Sequence, residues 1–473
     1  MKGTGISSNP LRIAIVGSGP TGFYTADHLF RAEGLEISVD MFDRLPVPFG
    51  LVRYGVAPDH LKIKSVTNAY DKVASHPGFR FFGNVEFGKD LFLDDLMAHY
   101  HQIVFCTGAQ TDRKLNIPGE DLEGSHPATE FVAWYNGHPD FRDSEFDLTQ
   151  EAAAVVGVGN VAIDVARILS RSVDELKATD IADYALEVLS ESRVKEIYLI
   201  GRRGPAQAKF TNPELKEVGN LKDADVFTLP QEVVLDPLSA EALAKTPDRA
   251  TEMKLNLLQE YSRRQPTGKS RRLHIRFLVS PTELYGDSAG RVTRMQLVRN
   301  ELFTTEAGSI QSRPTEEFEE IPAGLVFRSI GYKGVPLPEI PFNENWGVIL
   351  NEKGRVIDPA SRQPIPGLYT AGWIKRGPTG VIGTNKPDAL ETVEGMLRDL
   401  KDGRLADPAF PDPADALALV EERQPDYLTY DDWRTLDQLE IERGRLAGRP
   451  RVKFTQLNEM LVALGRQPAV VKS

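Results

Sequence analysis

Cysteine is almost absent from this chain. Its 473 residues include one, Cys106. A single thiol forms no intrachain disulfide, no CxxC redox pair and no multi-thiolate metal site. This points to an intracellular protein without a disulfide framework. Long apolar runs are missing too. No stretch approaches the roughly 18 consecutive apolar residues of a membrane span. The segment MKGTGISSNPLRIAIVGSG has too short an apolar run for a signal peptide and leads straight into a glycine turn. It reads as a strand, and it has no Arg/Ser-rich transit pattern. A soluble, cytoplasmic protein is expected. Basic excess is also lacking. The chain has 56 Lys and Arg against 68 Asp and Glu, a formal charge of −12. An acidic surface suits phosphate backbones poorly, so no nucleic-acid binding is expected.

What is present is globular. Hydrophobic residues make up 41% and charged residues 26%, both ordinary values, which excludes disordered and fibrous classes. At about 150 residues per domain, the length suggests three domains, or two large ones. Short apolar runs alternate with helical patterns. Leu11–Val16, Glu36–Phe42 and Ile103–Cys106 read as strands, and Thr21–Arg31 as a helix. The pattern restarts with Ala152–Val156, the helix Val161–Leu169 and the strand Glu196–Ile200. Such alternation implies βαβ units and a parallel sheet. Further strands are expected at Leu273–Val279, Val292–Leu297, Gly324–Ile330 and Gly367–Ala371. A hairpin is expected with Gly347–Leu350 and Arg355–Ile357 around Asn351–Gly354. Thr429-x-x-Asp432 looks like a capping box that opens a helix.

Two glycine fingerprints sit between a strand and a helix. The first is Gly17-Ser18-Gly19-Pro20-Thr21-Gly22. Its glycines permit a tight turn and close approach to a pyrophosphate, and the following helix offers unpaired N–H groups. Asp43 lies 21 residues after Gly22, the spacing of a carboxylate that accepts ribose hydroxyls. The second is Gly157-Val158-Gly159-Asn160-Val161-Ala162. Its next strand ends not in an acid but in Arg202-Arg203. Two guanidiniums can grip a 2′-phosphate that a carboxylate would repel, so this site should take NADP(H). The acid-bearing N-terminal site suits FAD. A nicotinamide delivers two electrons as hydride, and a flavin accepts them and can release them singly. With only Cys106, the electrons must leave for a separate acceptor.

Several longer motifs are distinctive. They are Pro46-Val47-Pro48-Phe49-Gly50-Leu51-Val52-Arg53-Tyr54-Gly55, continuing to His60; Gly201-Arg202-Arg203-Gly204-Pro205; Phe210-Thr211 with Glu214-Leu215; and Gly372-Trp373-Ile374-Lys375-Arg376-Gly377-Pro378-Thr379-Gly380-Val381-Ile382-Gly383-Thr384-Asn385. Together, in order and over nearly the whole chain, they resemble the adrenodoxin-reductase-type ferredoxin–NADP+ reductases, including actinobacterial members. The resemblance implies an α/β fold of two Rossmann-like dinucleotide-binding domains, with glutathione-reductase-like architecture but no redox disulfide. It implies a discontinuous FAD domain, 1–112 and 333–473, with an NADP domain, 113–332, inserted. It implies FAD contacts at Gly17, Gly19, Pro20, Thr21, Gly22, Asp43, Leu51, Val85, Trp373, Gly380, Val381 and Ile382. It implies NADP contacts at Val158, Gly159, Asn160, Val161, Arg202, Arg203, Glu214 and Gly380. The family often has Glu where this chain has the shorter Asp43. His60 near the flavin and Glu214 near the nicotinamide are the implied catalytic residues.

The implied partner is a ferredoxin, expected to be acidic. Arg263–Arg272 holds five basic residues in ten and no acid, and is a candidate steering face. Lys375 and Arg376 are a second. A monomer is expected. Two other readings remain open: an NADPH-dependent flavin monooxygenase, and a non-enzymatic nucleotide-binding redox sensor.

Overall fold

The computed structural model describes residues 4–6 and 9–467. Residues 1–3, 7–8 and 468–473, where parts of the expected N-terminal strand segment and of the discontinuous domain fall, lie outside the described residues. The chain divides into two units. Unit 1 is Met1–Val56, His60–Thr111 and Tyr332–Ser473; unit 2 is Ala57–Asp59 and Asp112–Gly331. The division falls one residue earlier than expected at each crossover, and the excursion at Ala57–Asp59 was not anticipated. Its cause is ionic. Both Asp59 oxygens accept from Arg167, Oδ2 from Nε at 2.8 Å and Oδ1 from Nη2 at 2.9 Å, and Arg171 Nε lies 2.8 Å away.

Unit 1 is built on a seven-stranded sheet. Its order is Asn351–Glu352, Arg355–Ile357, Pro364–Thr370, Gln102–Phe105, Leu11–Val16, Ile37–Asp43, Phe79–Gly83. The strands from Pro364–Thr370 onward run parallel, and an antiparallel hairpin finishes the other edge. That hairpin is tighter than expected. Asn351–Glu352 pairs with Arg355–Ile357 around Lys353-Gly354, while Val348–Ile349 pairs with Phe342–Asn343 instead. Leu11–Val16 is buried throughout, as a central parallel strand should be. Its one charge, Arg12, is fully buried and paired at 2.7 Å with Asp40, which also accepts from Arg80 and from the Tyr100 hydroxyl. Burial alone would raise the Asp40 pKa, but the Arg80 and Arg12 guanidiniums hold it below the usual carboxylate range.

The long helix Tyr430–Leu446, the last but one among the described residues, opens with the expected capping box between Thr429 and Asp432. It explains why the Pro46–Gly55 motif is so constrained. Phe49 meets Trp433 edge-on at 5.6 Å, and the Arg53 guanidinium lies 5.0 Å from the Trp433 ring. Arg53 also donates to Glu440 at 2.9 Å, with both side chains almost fully buried.

Unit 2 has a six-stranded parallel sheet. Its order is Ser125–Pro127, Leu325–Arg328, Ala152–Val156, Glu196–Gly201, Arg271–Phe277, Ala224–Thr228. An antiparallel sheet of Val279–Gly286, Val292–Thr304 and Ile310–Pro322 adjoins it in sequence. The expected strand Leu273–Val279 is broken at Leu278, whose φ is 56°. The stretch between residues 170 and 192 forms two helices, Val173–Lys177 and Asp183–Ser190, the first opened by a Ser172–Glu175 capping box.

The Arg53–Glu440 pair supplies a stability test. Neutralising one member of a buried pair leaves the other uncompensated and costs about 3–5 kcal/mol. Glu440→Gln should therefore lower unfolding stability by about that amount in denaturant titration, whereas neutralising the exposed Glu241 should leave it unchanged. The sign with pH follows. Burial opposes the charge on Glu440, but Arg53 overcomes it and lowers the folded pKa. The wild-type advantage should be full above the unfolded value of about 4.3 and shrink as pH falls through the lowered folded value.

Candidate dinucleotide sites

In unit 1 the chain order of the parallel strands reverses between Leu11–Val16 and Gln102–Phe105, the switch point at which open α/β sheets bind ligands. Gly17 turns there with φ of 109°. A Cβ on it would lie 2.6 Å from the carbonyl oxygen of Cys106, across the switch point. Only glycine fits. Helix Pro20–Phe30 begins at once, with Pro at its first position. A Cβ on Gly19 would meet nothing within 4 Å, so the loop surface above it is open for close backbone approach. Two groups hold the loop from the sides. The Ser18 N–H and hydroxyl donate to Asp43 Oδ2 at 2.7 and 2.6 Å, and the Phe49 N–H donates to Ser18 O at 3.0 Å. This brings Gly50, beside Leu51, against Gly19.

Asp43 thus does a job the sequence did not reveal. Its Oδ1 also accepts from the Leu45 N–H at 2.9 Å. A carboxylate has about four acceptor positions. Three are used, which leaves room for one ribose hydroxyl. The Val85 N–H donates to the Asp43 carbonyl, but the Val85 side chain is core, so any ligand contact there is made by its backbone. On the other side of the fingerprint, Gly372 lies against the Thr21 hydroxyl. Trp373 follows, with its ring 5.5 Å from that of Tyr332 and its Nε1–H donating to Thr379 O at 3.1 Å. The loop Gly380, Val381 and Ile382 is exposed to half-exposed and leads into helix Asn385–Lys401. Glycines, an aromatic wall and free loop amides fit a flat dinucleotide cofactor. His60 caps the short helix Leu61–Lys64 and is half-buried.

Unit 2 repeats the device. Gly157 has φ of 139°, and a Cβ on it would lie 2.1 Å from Ser329 O, across the reversal between Ala152–Val156 and Leu325–Arg328. Ala162 takes the third glycine position and is fully buried against the sheet. Val158 O accepts from the N–H groups of Lys209 and Phe210 at 2.8 and 3.0 Å. Asn160 Oδ1 accepts from the Thr211 N–H at 3.0 Å. These bonds set helix Asn212–Val218, and with it Glu214, beside Val158–Val161. Glu214 is 9% exposed, and its Oε2 has no hydrogen-bond partner among the described residues. A buried carboxylate oxygen of this kind is destabilising unless a ligand donor or water meets it. Arg202 is exposed and Arg203 half-buried, and neither forms an ion pair among the described residues. Burial, and then the adjacent Arg202 charge, lower the Arg203 pKa. Two unpaired guanidiniums side by side in an acidic protein fit a phosphate.

Comparison with known proteins agrees. The pattern of the pyridine nucleotide-disulphide oxidoreductase family matches residues 11–201. The NADPH-ferredoxin reductase FprA of Mycobacterium tuberculosis is 45% identical over 465 residues, which is 96% of this chain and all of that protein. The mitochondrial NADPH:adrenodoxin oxidoreductase of Arabidopsis thaliana is 40% identical, over 97% of this chain and 96% of its own. The solved structure of M. tuberculosis FprA in complex with NADPH superposes with a TM-score of 0.90, at 45% identity, covering 97% of this chain and all of that one.

The chain belongs to the adrenodoxin-reductase-type ferredoxin–NADP+ reductases.

The candidate steering run Arg263–Arg272 is partly committed to local bonds. Arg264 donates to Gly219 O and Glu260, Lys269 to Leu221 O, Arg271 to Val194 O, and Arg272 to Glu196. Among the described residues of the run only Arg264 and Arg272 pair with carboxylates, and a hydrogen bond to a neutral carbonyl leaves the charge of Lys269 or Arg271 in place. Lys375 is 8% exposed and lies between Asp388 and Glu391. Arg376 donates to Thr379 O and Asn385 Oδ1, so it braces the Gly377–Thr384 loop. Sequence shows charge but not its partners. It also missed Asp388, whose Oδ2 accepts from the Gly372 N–H at 2.5 Å.

Cys106 is buried, and burial pushes its thiol up to about 12. Thiolates, not thiols, are alkylated. Iodoacetamide at pH 8 should leave the native protein unlabelled by mass spectrometry and label one site after denaturation. Fast native labelling would contradict this placement of the thiol.

Proposed function

We propose that the protein is an NADPH-dependent ferredoxin reductase in which unit 1 holds FAD, unit 2 holds NADPH, and electrons leave to a separate ferredoxin. The observation that carries the reading is the pair of switch-point cradles with opposite second-strand endings, Asp43 in one and unpaired Arg202-Arg203 in the other. Bound FAD supplies an acceptor that takes two electrons together and gives them up one at a time. The chain's own residues bind and orient. The amides after Gly17 and the helix at Pro20 receive the pyrophosphate, Asp43 a ribose hydroxyl, and Trp373 with Gly380–Ile382 the flat ring. Val158–Val161 receive the second pyrophosphate, Arg202 and Arg203 the 2′-phosphate, and Glu214 a donor on the nicotinamide half. In this reading His60 lies near the flavin, as the family resemblance implies. Hydride transfer needs positioning rather than a side-chain acid or base, so His60 and Glu214 orient more than they react. A single buried thiol cannot relay electrons within the chain. The same proposal takes the protein to be a cytoplasmic monomer.

The test is ferredoxin-dependent reduction of cytochrome c by the FAD-loaded protein, with NADPH or NADH as donor. NADPH should support it strongly and NADH weakly. Charge-assisted bonds are worth about 1.5–3 kcal/mol each, so Arg202→Ala should weaken NADPH roughly 10- to 150-fold and leave NADH nearly unchanged. NADPH oxidation that bypasses ferredoxin and hydroxylates an organic substrate would favour the monooxygenase reading. Nucleotide binding without turnover would favour a sensor.

A further inference from the structure

The turn that carries the two arginines is held by the antiparallel sheet that follows the Rossmann strands. Asn300, in strand Val292–Thr304, is 6% exposed. Its Nδ2 donates to Arg202 O at 2.9 Å and to Ser280 Oγ at 2.7 Å, which uses both amide hydrogens. Its backbone N–H donates to Leu278 O at 2.7 Å, and the Leu278 N–H donates to Arg203 O at 3.2 Å. The carbonyls of both arginines therefore accept from one corner. The local backbone is bent for this purpose. Leu278 has φ of 56°, a conformation that a bulky side chain keeps only when its surroundings enforce it. The pairing of Val292–Thr304 with Ile310–Pro322 shifts register between Val298 and Asn300, and such bulges re-aim a side chain.

We propose that Asn300 is a positioning residue for NADPH selectivity. By fixing the carbonyl of Arg202, with Leu278 fixing that of Arg203, it sets where both side chains leave the backbone and makes two mutually repelling guanidiniums converge on one phosphate. The inference rests on reading Arg202 and Arg203 as the grip on the 2′-phosphate. Asn300 itself touches no ligand. Its role differs from general support of the fold, because it acts on a group that only NADPH carries.

The experiment measures Kd, KM and kcat for NADPH and for NADH with the FAD-loaded protein. The variants are Asn300→Ala, Ser280→Ala and Arg202→Ala, each checked for its thermal unfolding midpoint. Loss of one hydrogen bond to the turn predicts a rise of roughly 3- to 10-fold in Kd and KM for NADPH in Asn300→Ala. NADH constants should move less than about twofold and kcat should hold, since a single lost hydrogen bond is a modest change. Ser280→Ala removes only the acceptor that orients the amide. It should give a smaller loss of the same kind, and it serves if Asn300→Ala fails to fold. Equal losses for both nucleotides, or none in either variant, would overturn the proposal. If Arg202→Ala itself leaves NADPH affinity unaltered, the reading of the arginine pair fails first. If Arg202→Ala weakens NADPH while both other variants match wild type, the positioning role of Asn300 alone is wrong.

Discussion

Both sites depend on the same close approach. In each unit a glycine turns directly beneath the backbone of the strand across the switch point, Gly17 under Cys106 and Gly157 under Ser329. Any Cβ there would lie 2.6 Å or 2.1 Å from a carbonyl oxygen. This contact lets the chain pass from strand to helix through a loop of only three residues. It aims the helix N-terminus, with its unpaired amides and positive partial charge, into the crevice. The second glycine of each fingerprint then leaves the surface open. The rest of each site is arranged around that turn. Asp43 and Phe49 brace the first loop through Ser18, and Lys209, Phe210 and Thr211 brace the second through Val158 and Asn160.

A second layer of constraint is ionic and buried. Arg53 ties the Pro46–Gly55 motif to Glu440 on helix Tyr430–Leu446, although the two lie 387 residues apart. Asp59 is tied to Arg167 across 108 residues in the same way. Such pairs are expensive to break and specific in what they join. They help place loops that local propensity leaves undetermined. Gly50 reaches Gly19, for instance, because Phe49 and Arg53 are both held on Trp433.

Much of this was legible in the sequence. The central parallel strands are buried on both faces and therefore appear as short apolar runs, interrupted only where Arg12 and Asp40 pair with each other across neighbouring strands. The fingerprint glycines announce their turns. The pair at 202–203 declares its charge by its position after the second strand. Other parts were hidden for physical reasons. Strand Ile310–Pro322 is mostly exposed, and its Glu316–Glu320 stretch reads as a solvated loop, not as the edge of a sheet. Leu278 breaks an apolar run because of its conformation, which residue type does not display. The basic run at 263–272 reads as a surface patch, and only the fold shows that four of its five side chains also bond local carbonyls or carboxylates. Asp43 looked free for a ribose, and only the folded loop shows that Ser18 and Leu45 already claim three of its positions.

The central claim is that two separate cradles, each set by one glycine, serve two different nucleotides in one electron path. Gly157→Ala tests it most directly. The variant is strained at that turn and should unfold at a lower midpoint than wild type, but the purified folded protein should keep its full flavin absorbance, while flavin bleaching by NADPH under anaerobic stopped flow should slow at least about a hundredfold, the scale of a lost phosphate site. A variant that is reduced by NADPH at the wild-type rate, or that loses its flavin along with NADPH reduction, would contradict the account.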